Sequence, residues 1–367
     1  METISVETLR TWLEEGRSVT ILDVRPADQR AEWAIPGSVH LDAYHALNAH
    51  DPHALEAVEV ADDAPVVTVC AAGRTSQLAA EQLTARGVHA LSLEGGMKAW
   101  SLAWNTAEIL LEDRSARVIQ VRRTGKGCLS YLIGAGEEAF VIDASLDPQE
   151  YLDLAIRHGW QITSVFDTHI HADHFSRSRQ LAERSGAMLF LPDQRRVSFP
   201  FTAMRDGDTL ATPPLMLTAL HTPGHTPEST CYLLNNAILL TGDTLFPTSI
   251  GRPDLHANEQ ETRARSSLLY HSLHKLLALP SETLVLPGHA SRPVPFDGVL
   301  VGARLAEIDE QVGLLHATRM VFVETLLKRL PPTPPNYERI VTLNEAGLVP
   351  VGDITELEAG ANRCAIS

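Results

Sequence analysis

The run Thr168-His169-Ile170-His171-Ala172-Asp173-His174 has the residue types and spacing of a metal site. It follows an apolar stretch, Ile162 to Phe166, with the character of a strand. Side chains two apart on extended backbone point the same way, so His169 and His171 can converge on one point. A turn after Ala172 can bring Asp173 and His174 to a neighbouring one. Imidazoles and carboxylates are ligands of zinc and non-haem iron. Three later segments place further ligand types in the same setting: His221-Thr222-Pro223-Gly224-His225, Leu239-Leu240-Thr241-Gly242-Asp243-Thr244 and Leu284-Val285-Leu286-Pro287-Gly288-His289. Each lies at or just after an apolar run, beside a Gly or Pro that can turn the chain sharply. A different chemistry is offered upstream, where Val66-Val67-Thr68-Val69 leads straight into Cys70-Ala71-Ala72-Gly73-Arg74-Thr75-Ser76. Strand, tight loop and helix would surround the Cys70 sulfur with backbone N–H groups and a helix N-terminus, with Arg74 close by. All of these favour a thiolate or a bound anion. A thiolate so placed is a nucleophile toward sulfane sulfur.

The elements that must hold these residues follow from periodicity. Val6 to Glu15 has the pattern of a first helix, Val19 to Arg25 of a buried strand, and Ser76 to Arg86 of a helix with Leu78, Ala79, Gln82 and Leu83 at helical spacing. Ile35-Pro36-Gly37-Ser38-Val39 supplies a turn and a short strand. Asn105-Thr106-Ala107 and Glu112-Asp113-Arg114 have the character of a connection. Beyond it, Val118 to Arg122, Leu129 to Ile133, Ala139 to Ile142 and Ala187 to Leu191 are strand-like, and Arg177 to Ser185 is helical. Asp143 is expected to tie a loop. Strands alternating with helices across Gly and Pro turns fit an α/β fold of the αββα sandwich type. A long helical stretch is expected from about Leu305 to Leu330, followed by the Pro-rich tail Pro331 to Tyr337. Such a tail packs on its own domain or on a second subunit, so a homodimer is compatible with it.

With 367 residues the default expectation is more than one domain, and either half is long enough to bury a core. Four scattered cysteines, Cys70, Cys128, Cys231 and Cys364, make neither a disulfide framework nor a zinc knuckle. A reducing, cytoplasmic setting is the simpler expectation, since Met1 to Gly16 lacks the form of a signal peptide and no apolar run has the length to cross a bilayer. A formal charge of -16 argues against a nucleic-acid surface, which needs clustered Lys and Arg.

The order H-x-H-x-D-H, later His, later Asp and last His, from about Ser115 to His289, resembles the metallo-β-lactamase superfamily. Asp23-Val24-Arg25-Pro26, Ile35-Pro36-Gly37, the Cys70 loop and Leu93-Glu94-Gly95-Gly96-Met97-Lys98-Ala99-Trp100 together resemble a rhodanese domain, a family that carries sulfur on its loop cysteine as a persulfide. The loop departs from the family's C-x-x-G-x-R-S in having Thr75 at the usual Arg position. These resemblances imply a rhodanese-like α/β domain over 1–107, a metallo-β-lactamase αββα sandwich over 108–299, and a C-terminal helical extension over 300–367 packing on the second domain. Within the superfamily the nearest resemblance is to persulfide dioxygenases and their glyoxalase II relatives. It implies a mononuclear Fe(2+) site on His169, His225 and Asp243, with His171, Asp173, His174 and His289 around it. In a hydrolase of the same fold those four complete a dinuclear Zn(2+) site that Asp243 bridges.

Gly251-Arg252-Pro253-Asp254 resembles a G-R-x-D segment of persulfide dioxygenases whose Arg lies near the iron. Arg252 is therefore a candidate catalytic and substrate-binding residue, the alternative being a clamp through Asp254. Thr226, beside His225, is a second candidate substrate contact. Cys70 and Arg74 are the candidates for sulfur transfer. Both relatives carry a glutathione-contacting Tyr two residues after the last His, and here that position is Ser291. The expected activity is oxidation of a small thiol persulfide to sulfite by O2, coupled to sulfurtransfer with thiosulfate or sulfite at Cys70. A metal-dependent thioester hydrolase with an attached rhodanese, or a sulfur-carrier or redox-sensing module whose metal site is only structural, are the other readings.

Overall fold

The computed structural model describes residues 2–59, 64–111, 116–352, 354–358 and 363–366. The N-terminal part is a five-stranded parallel sheet in the order Glu2–Ile4, Ala90–Leu93, Val66–Val69, Thr20–Asp23, Val39–His40. Alternation sends neighbouring residues to opposite faces, so Leu22 and Val66 join one apolar cluster while Ile21, Val67 and Val69 join another. With helices covering both faces, the central strands are apolar throughout rather than alternating. Val6–Glu14 is the first helix, capped where the Ser5 hydroxyl accepts from the Thr8 N–H at 3.1 Å. The helix Thr75–Ala85 starts directly after the Cys70 loop.

The second part is two sheets face to face. One has seven strands in the order Thr202–Met204, Met188–Pro192, Gln161–Phe166, Glu138–Ile142, Cys128–Ala135, Arg117–Arg123, Asn105–Leu110. The other has six, in the order Thr209–Thr212, Leu215–His221, Thr230–Leu234, Ile238–Gly242, Leu284–Pro287, Ala303–Arg304. Their inner faces share one core in which Val118, Tyr131, Phe140 and Phe166 meet Leu217, Tyr232, Leu240 and Leu286. The helices Pro148–Arg157 and Ser178–Ser185 cover the outside of the first sheet through Tyr151, Leu154 and Leu181. Glu259–Leu277 covers the second through Leu269, Leu273 and Leu276. The architecture is αββα.

Two sequence expectations are corrected here. Asn105–Leu110 is not a connection but an edge strand, antiparallel to Arg117–Arg123. Asn105 and Ala107 point inward from it, and their small or polar side chains hid the period-two pattern. Glu112, Asp113 and Arg114 lie outside the described residues. The single helix expected from Leu305 to Leu330 is two helices, Leu305–Gln311 and Arg319–Lys328, separated by a 3-10 turn at Gly313–His316. The break falls where Gly313 weakens the helix and Thr318 caps a new one on Val321 N–H. Phe322, Val323 and Leu326 of the later helix share the core of Glu259–Leu277. No helix among the described residues is long and apolar enough to cross a membrane.

The two parts are joined by buried polar contacts. The Trp33 indole N–H donates to the Thr124 carbonyl at 2.9 Å, and Arg123 Nε donates to the Ser101 carbonyl at 2.7 Å. The chain's last described residues reach both parts. Lys98 Nζ meets Glu356 Oε1 at 2.8 Å, while Ala365–Ile366 pairs antiparallel with Ile250–Gly251.

Candidate metal centre and cysteine loop

Every ligand segment leaves the end of a strand at one edge of the sandwich: residues 168–174 after Gln161–Phe166, His225 after Leu215–His221, Asp243 after Ile238–Gly242, His289 after Leu284–Pro287. Two glycines let these ends crowd together. A Cβ at Gly224, whose φ is +152°, would run into the backbone of Leu269, and one at Gly288 would sit 2.8 Å from Asp243 Oδ1. Asp143, at φ 56°, ties the first loop as expected, its Oδ1 accepting from Thr168 N at 2.7 Å and facing His171 Nε2 at 3.2 Å.

Ligand atoms of His169, His225 and Asp243 all lie within 4.8 Å of one another, and the three residues are buried. His169 Nε2 and His225 Nε2 stand 3.8 and 3.7 Å from Asp243 Oδ2. Their tautomers follow from their outer partners. His225 Nδ1 faces the Arg252 carbonyl at 2.7 Å, which can only accept, so Nδ1 carries the proton and Nε2 offers a lone pair inward. Thr168 Oγ1 donates to Asp143, so at 2.9 Å it accepts from His169 Nδ1, again leaving Nε2 bare. Burial holds both imidazoles below their ordinary pKa, with His171 adding to the effect at His169, so both are neutral as a ligand requires. Burial opposes the charge of Asp243, yet His289 above all keeps its carboxyl well below the carboxylate range. His169 Nε2 and Asp243 Oδ2 are buried without a hydrogen-bond partner. Orphaned acceptors converging at this spacing fit a cation.

Of the other four expected ligands, His171 turns to Asp143, while Asp173, His174 and His289 engage one another. His289 Nδ1 lies 2.5 Å from Asp243 Oδ1 and its Nε2 lies 2.8 Å from Asp173 Oδ2. Burial works against charge on this ring, but the two carboxylates win and hold its pKa well above the ordinary value. Asp173 also meets His174 Nδ1 at 3.1 Å. Cys128, which lies in no ligand motif of the sequence, joins Asp173, His174 and His289 within 4.8 Å. Cys364 similarly reaches Asp243 and His289.

Arg252 takes the second of its two expected roles, the clamp through Asp254. Expected as a catalytic and substrate contact, it is fully buried with both ends of its guanidinium committed. Nε and Nη2 grip Asp254 at 2.8 and 2.7 Å, Nη2 also reaches Pro331 O at 2.9 Å, and Nη1 donates to Pro332 O at 3.1 Å and Arg363 O at 3.2 Å. No donor remains for a substrate. It fastens the tail to the loop whose carbonyl orients His225. Arg252→Ala is expected to lower stability by about 3 to 5 kcal/mol, because Asp254 and three carbonyls lose their partner. A denaturant midpoint that does not move, with only KM raised, would restore the substrate role. The C-terminal helix Tyr337–Ala346 supports the metal loop too: Asn344 Nδ2 donates to His171 O at 2.8 Å and His174 O at 2.9 Å. Thr226 lines a pocket beside His225, its hydroxyl 2.8 Å from Ser229 Oγ.

At the other candidate site, Cys70 ends Val66–Val69 and its sulfur accepts from Gly73 N–H at 3.1 Å. Ser92 Oγ donates to Ser76 Oγ at 2.9 Å, which directs the Ser76 hydroxyl proton to the Cys70 sulfur at 3.3 Å. Arg74, expected beside the sulfur, is exposed at the helix N-cap and its side chain makes no hydrogen bond or ion pair among the described residues, so Ser76 and the loop backbone take its place. A cleft of about 650 Å³ lies over the loop, lined by Arg25, Trp33, Ala71, Ala72, Lys98 and Glu356 among others.

Residues 5–103 match the rhodanese-like domain family and residues 123–289 the metallo-beta-lactamase superfamily. The chain is 36% identical over 152 residues to a hydroxyacylglutathione hydrolase of Rhizobium johnstonii, covering 40% of this chain and 56% of the relative. It is 32% identical over 155 residues to one from Brucella ovis, covering 41% and 54%. The chain thus spans about half the length of these curated relatives. Among solved structures it is similar to ETHE1 from Myxococcus xanthus, with TM-score 0.53 and 29% identity over 66% of this chain and 98% of that one. It is also similar to a metallo-beta-lactamase from Staphylococcus aureus, with TM-score 0.59 and 25% identity over 64% and 74%. Residues 5–103 thus carry a rhodanese-like domain with Cys70 in its loop, and residues 123–289 a metallo-beta-lactamase domain with a buried His–His–Asp cluster.

Proposed function

We propose that the protein oxidises a low-molecular-weight thiol persulfide to sulfite with O2 on a mononuclear iron site, and exchanges sulfane sulfur with thiosulfate or sulfite at Cys70. The observation that carries the reading is the division of Asp243. Its Oδ2 faces His169 and His225, while its Oδ1 is taken by a His289 that also faces Asp173. One carboxylate oxygen and two imidazoles remain, a set that suits ferrous iron. When bound, that ion supplies an exchangeable electron and positions for a sulfur ligand and O2.

The protein's own groups do the rest. Arg252 O and Thr168 hold the two histidines in the tautomer that presents Nε2. His289, flanked by two carboxylates, offsets the charge of Asp173 and Asp243 and keeps the second oxygen of Asp243 out of reach. In the overall reaction a persulfide anion, O2 and water give the thiolate, sulfite and two protons. The outer sulfur supplies the four electrons that O2 accepts. At Cys70 the thiolate attacks the sulfane sulfur of thiosulfate, the S–S bond breaks and sulfite leaves with its electron pair. Gly73 N–H and Ser76 then hydrogen-bond the sulfur. A carrier thiolate that attacks the outer sulfur of the Cys70 persulfide releases the Cys70 thiolate and becomes the small persulfide the metal site consumes, and holding both sites on one chain raises its local concentration.

The likeness to ETHE1 over nearly all of that chain supports this reading. The identity with hydroxyacylglutathione hydrolases, together with the full ligand set, supports a second: a dinuclear zinc thioester hydrolase, in which His289 would release Asp243 Oδ1. Oxygen separates the two. The ferrous protein is expected to consume O2 and form sulfite when given a small persulfide, and zinc replacement to stop it. Cleavage of S-lactoylglutathione by the zinc form, with no oxygen uptake by the iron form, would promote the hydrolase. A cytoplasmic setting goes with the four free cysteines and remains part of this proposal.

A further inference from the structure

Resting on the reading of Cys70 as a sulfur acceptor, we propose that Lys98 receives the anionic end of the sulfur donor, and that Glu356 of the C-terminal tail competes for the same ammonium until the donor displaces it. Lys98 grows out of the wall of the Cys70 loop. In the short helix Gly96–Trp100, the Met97 N–H donates to Cys70 O at 2.8 Å and the Lys98 N–H to Ala71 O at 3.0 Å. A Cβ on Gly96 would lie 2.3 Å from Cys70 O, so loop and helix cannot separate without losing this fit. The Lys98 side chain then lines the 650 Å³ cleft over the loop. Two cations line that cleft among the described residues, Arg25 and Lys98. Arg25 is buried and spent: Nε and Nη2 hold Asp23 at 2.9 and 2.7 Å, Nη2 also reaches Trp33 O at 2.7 Å, and Nη1 reaches Gln29 O at 3.3 Å.

The tail supplies a partner to each of the other two charges at this cleft. Glu356 Oε1 meets Lys98 Nζ at 2.8 Å, and Arg363 Nη2 meets Glu32 Oε1 at 3.3 Å. The tail backbone between sheet and cleft is firmly fastened. Glu358 is buried, accepting from Phe175 N–H at 2.8 Å and from Arg123 Nη2 at 2.5 Å, and Arg363 O accepts from Arg252 Nη1 at 3.2 Å. Glu356 differs from Glu358 in being 74% exposed, so its carboxylate can swing into water while the backbone stays. An exposed pair of this kind is weak and is readily exchanged for another anion. Thiosulfate offers such an anion. When the Cys70 thiolate attacks its sulfane sulfur, the sulfonate end leaves as sulfite with the electron pair and needs a cation beside it. On a chain of net charge -16, a cation at the mouth of the cleft is what draws that donor in, and the tail carboxylate tempers the pull.

The test alkylates the native full-length protein with iodoacetate, an anion, and with iodoacetamide, a neutral reagent of nearly the same size, and times modification of Cys70 by peptide mass. Glu356→Gln should raise the iodoacetate rate by about 2- to 5-fold and Lys98→Gln should lower it by about as much, the worth of one exposed charge contact. The iodoacetamide rate should stay level in both, since the backbone bonds from Met97 and Lys98 to the loop do not depend on either side chain. The KM for thiosulfate should follow, falling in Glu356→Gln and rising in Lys98→Gln. A pair that merely braces the fold would be broken by either substitution, with effects of the same sign. Changes in the same direction, an unmoved ratio of the two rates, or a Cys70 that neither reagent reaches would overturn the proposal. Alkylation involves no sulfur transfer, so failure of the sulfurtransferase reading would show separately, as a silent thiosulfate assay beside a rate ratio that still responds to both variants.

Discussion

Asp243→Ala is expected to leave the second domain without bound metal and without activity. Among the described residues Asp243 supplies the only carboxylate oxygen facing His169 and His225, and its other oxygen is one of the two carboxylate partners of His289. The substitution therefore removes a ligand and also leaves a charged ring flanked by Asp173 alone. Among the described residues no acidic side chain stands in reserve, since Asp173 is held by His174 and His289. Two imidazoles alone are a weak site for a hard or borderline divalent ion. Metal per protein, measured by elemental analysis after purification, should fall to background, and His225→Ala should behave alike. Sulfurtransfer at Cys70 serves as the folding control and should persist. Full metal occupancy in Asp243→Ala would reject the assignment of the site.

Cys70→Ser should abolish sulfurtransfer from thiosulfate while oxygen uptake on an added persulfide stays largely intact. The serine keeps the volume and the contacts to Gly73 N–H and Ser76, so the loop has no reason to unfold. What it lacks is a thiolate that can take up sulfane sulfur. Intact-mass analysis of the wild type after incubation with a donor should show one added sulfur atom, absent in the variant. If the wild type gains none, the N-terminal domain is a docking module and not a sulfurtransferase.

The strand ends that carry His169, His225, Asp243 and His289 were legible in the sequence because each combines a continuous apolar run with a Gly or Pro turn, and both signals are local. The αββα order was legible for the same reason. Asn105–Leu110 was not, since an edge strand with half its residues exposed needs no strong apolar pattern. Nor was the break at Gly313, where the apolar spacing of one helix continues by chance into the next. Arg252 shows a different limit. Its motif marks a place near the metal ligands, but only the tail carbonyls of Pro331, Pro332 and Arg363, some eighty residues or more away in sequence, reveal that its donors are filled. Ser76, Ser92, Cys128, Asn344 and Cys364 share that fate. Their roles come from neighbours distant in the chain, and Ser, Asn and lone Cys carry no periodic signature.

The polar seam between the two parts bears on how far the chain can be taken apart. Cutting near residue 104 would strand the Trp33 indole, the Ser101 carbonyl and the buried side chain of Arg123 at once, each having found its partner across the cut or in the tail. Gly125 has its own tie to this seam: a Cβ there would meet the Trp100 carbonyl, so the backbones approach too closely for any side chain between them. An indole, a guanidinium and a carbonyl facing water where they were shaped to be dry favour aggregation over two tidy fragments. The halves are therefore poor modules. Shuffling either onto another partner would require rebuilding a surface, whereas their chemistry could be exchanged residue by residue within the intact fold.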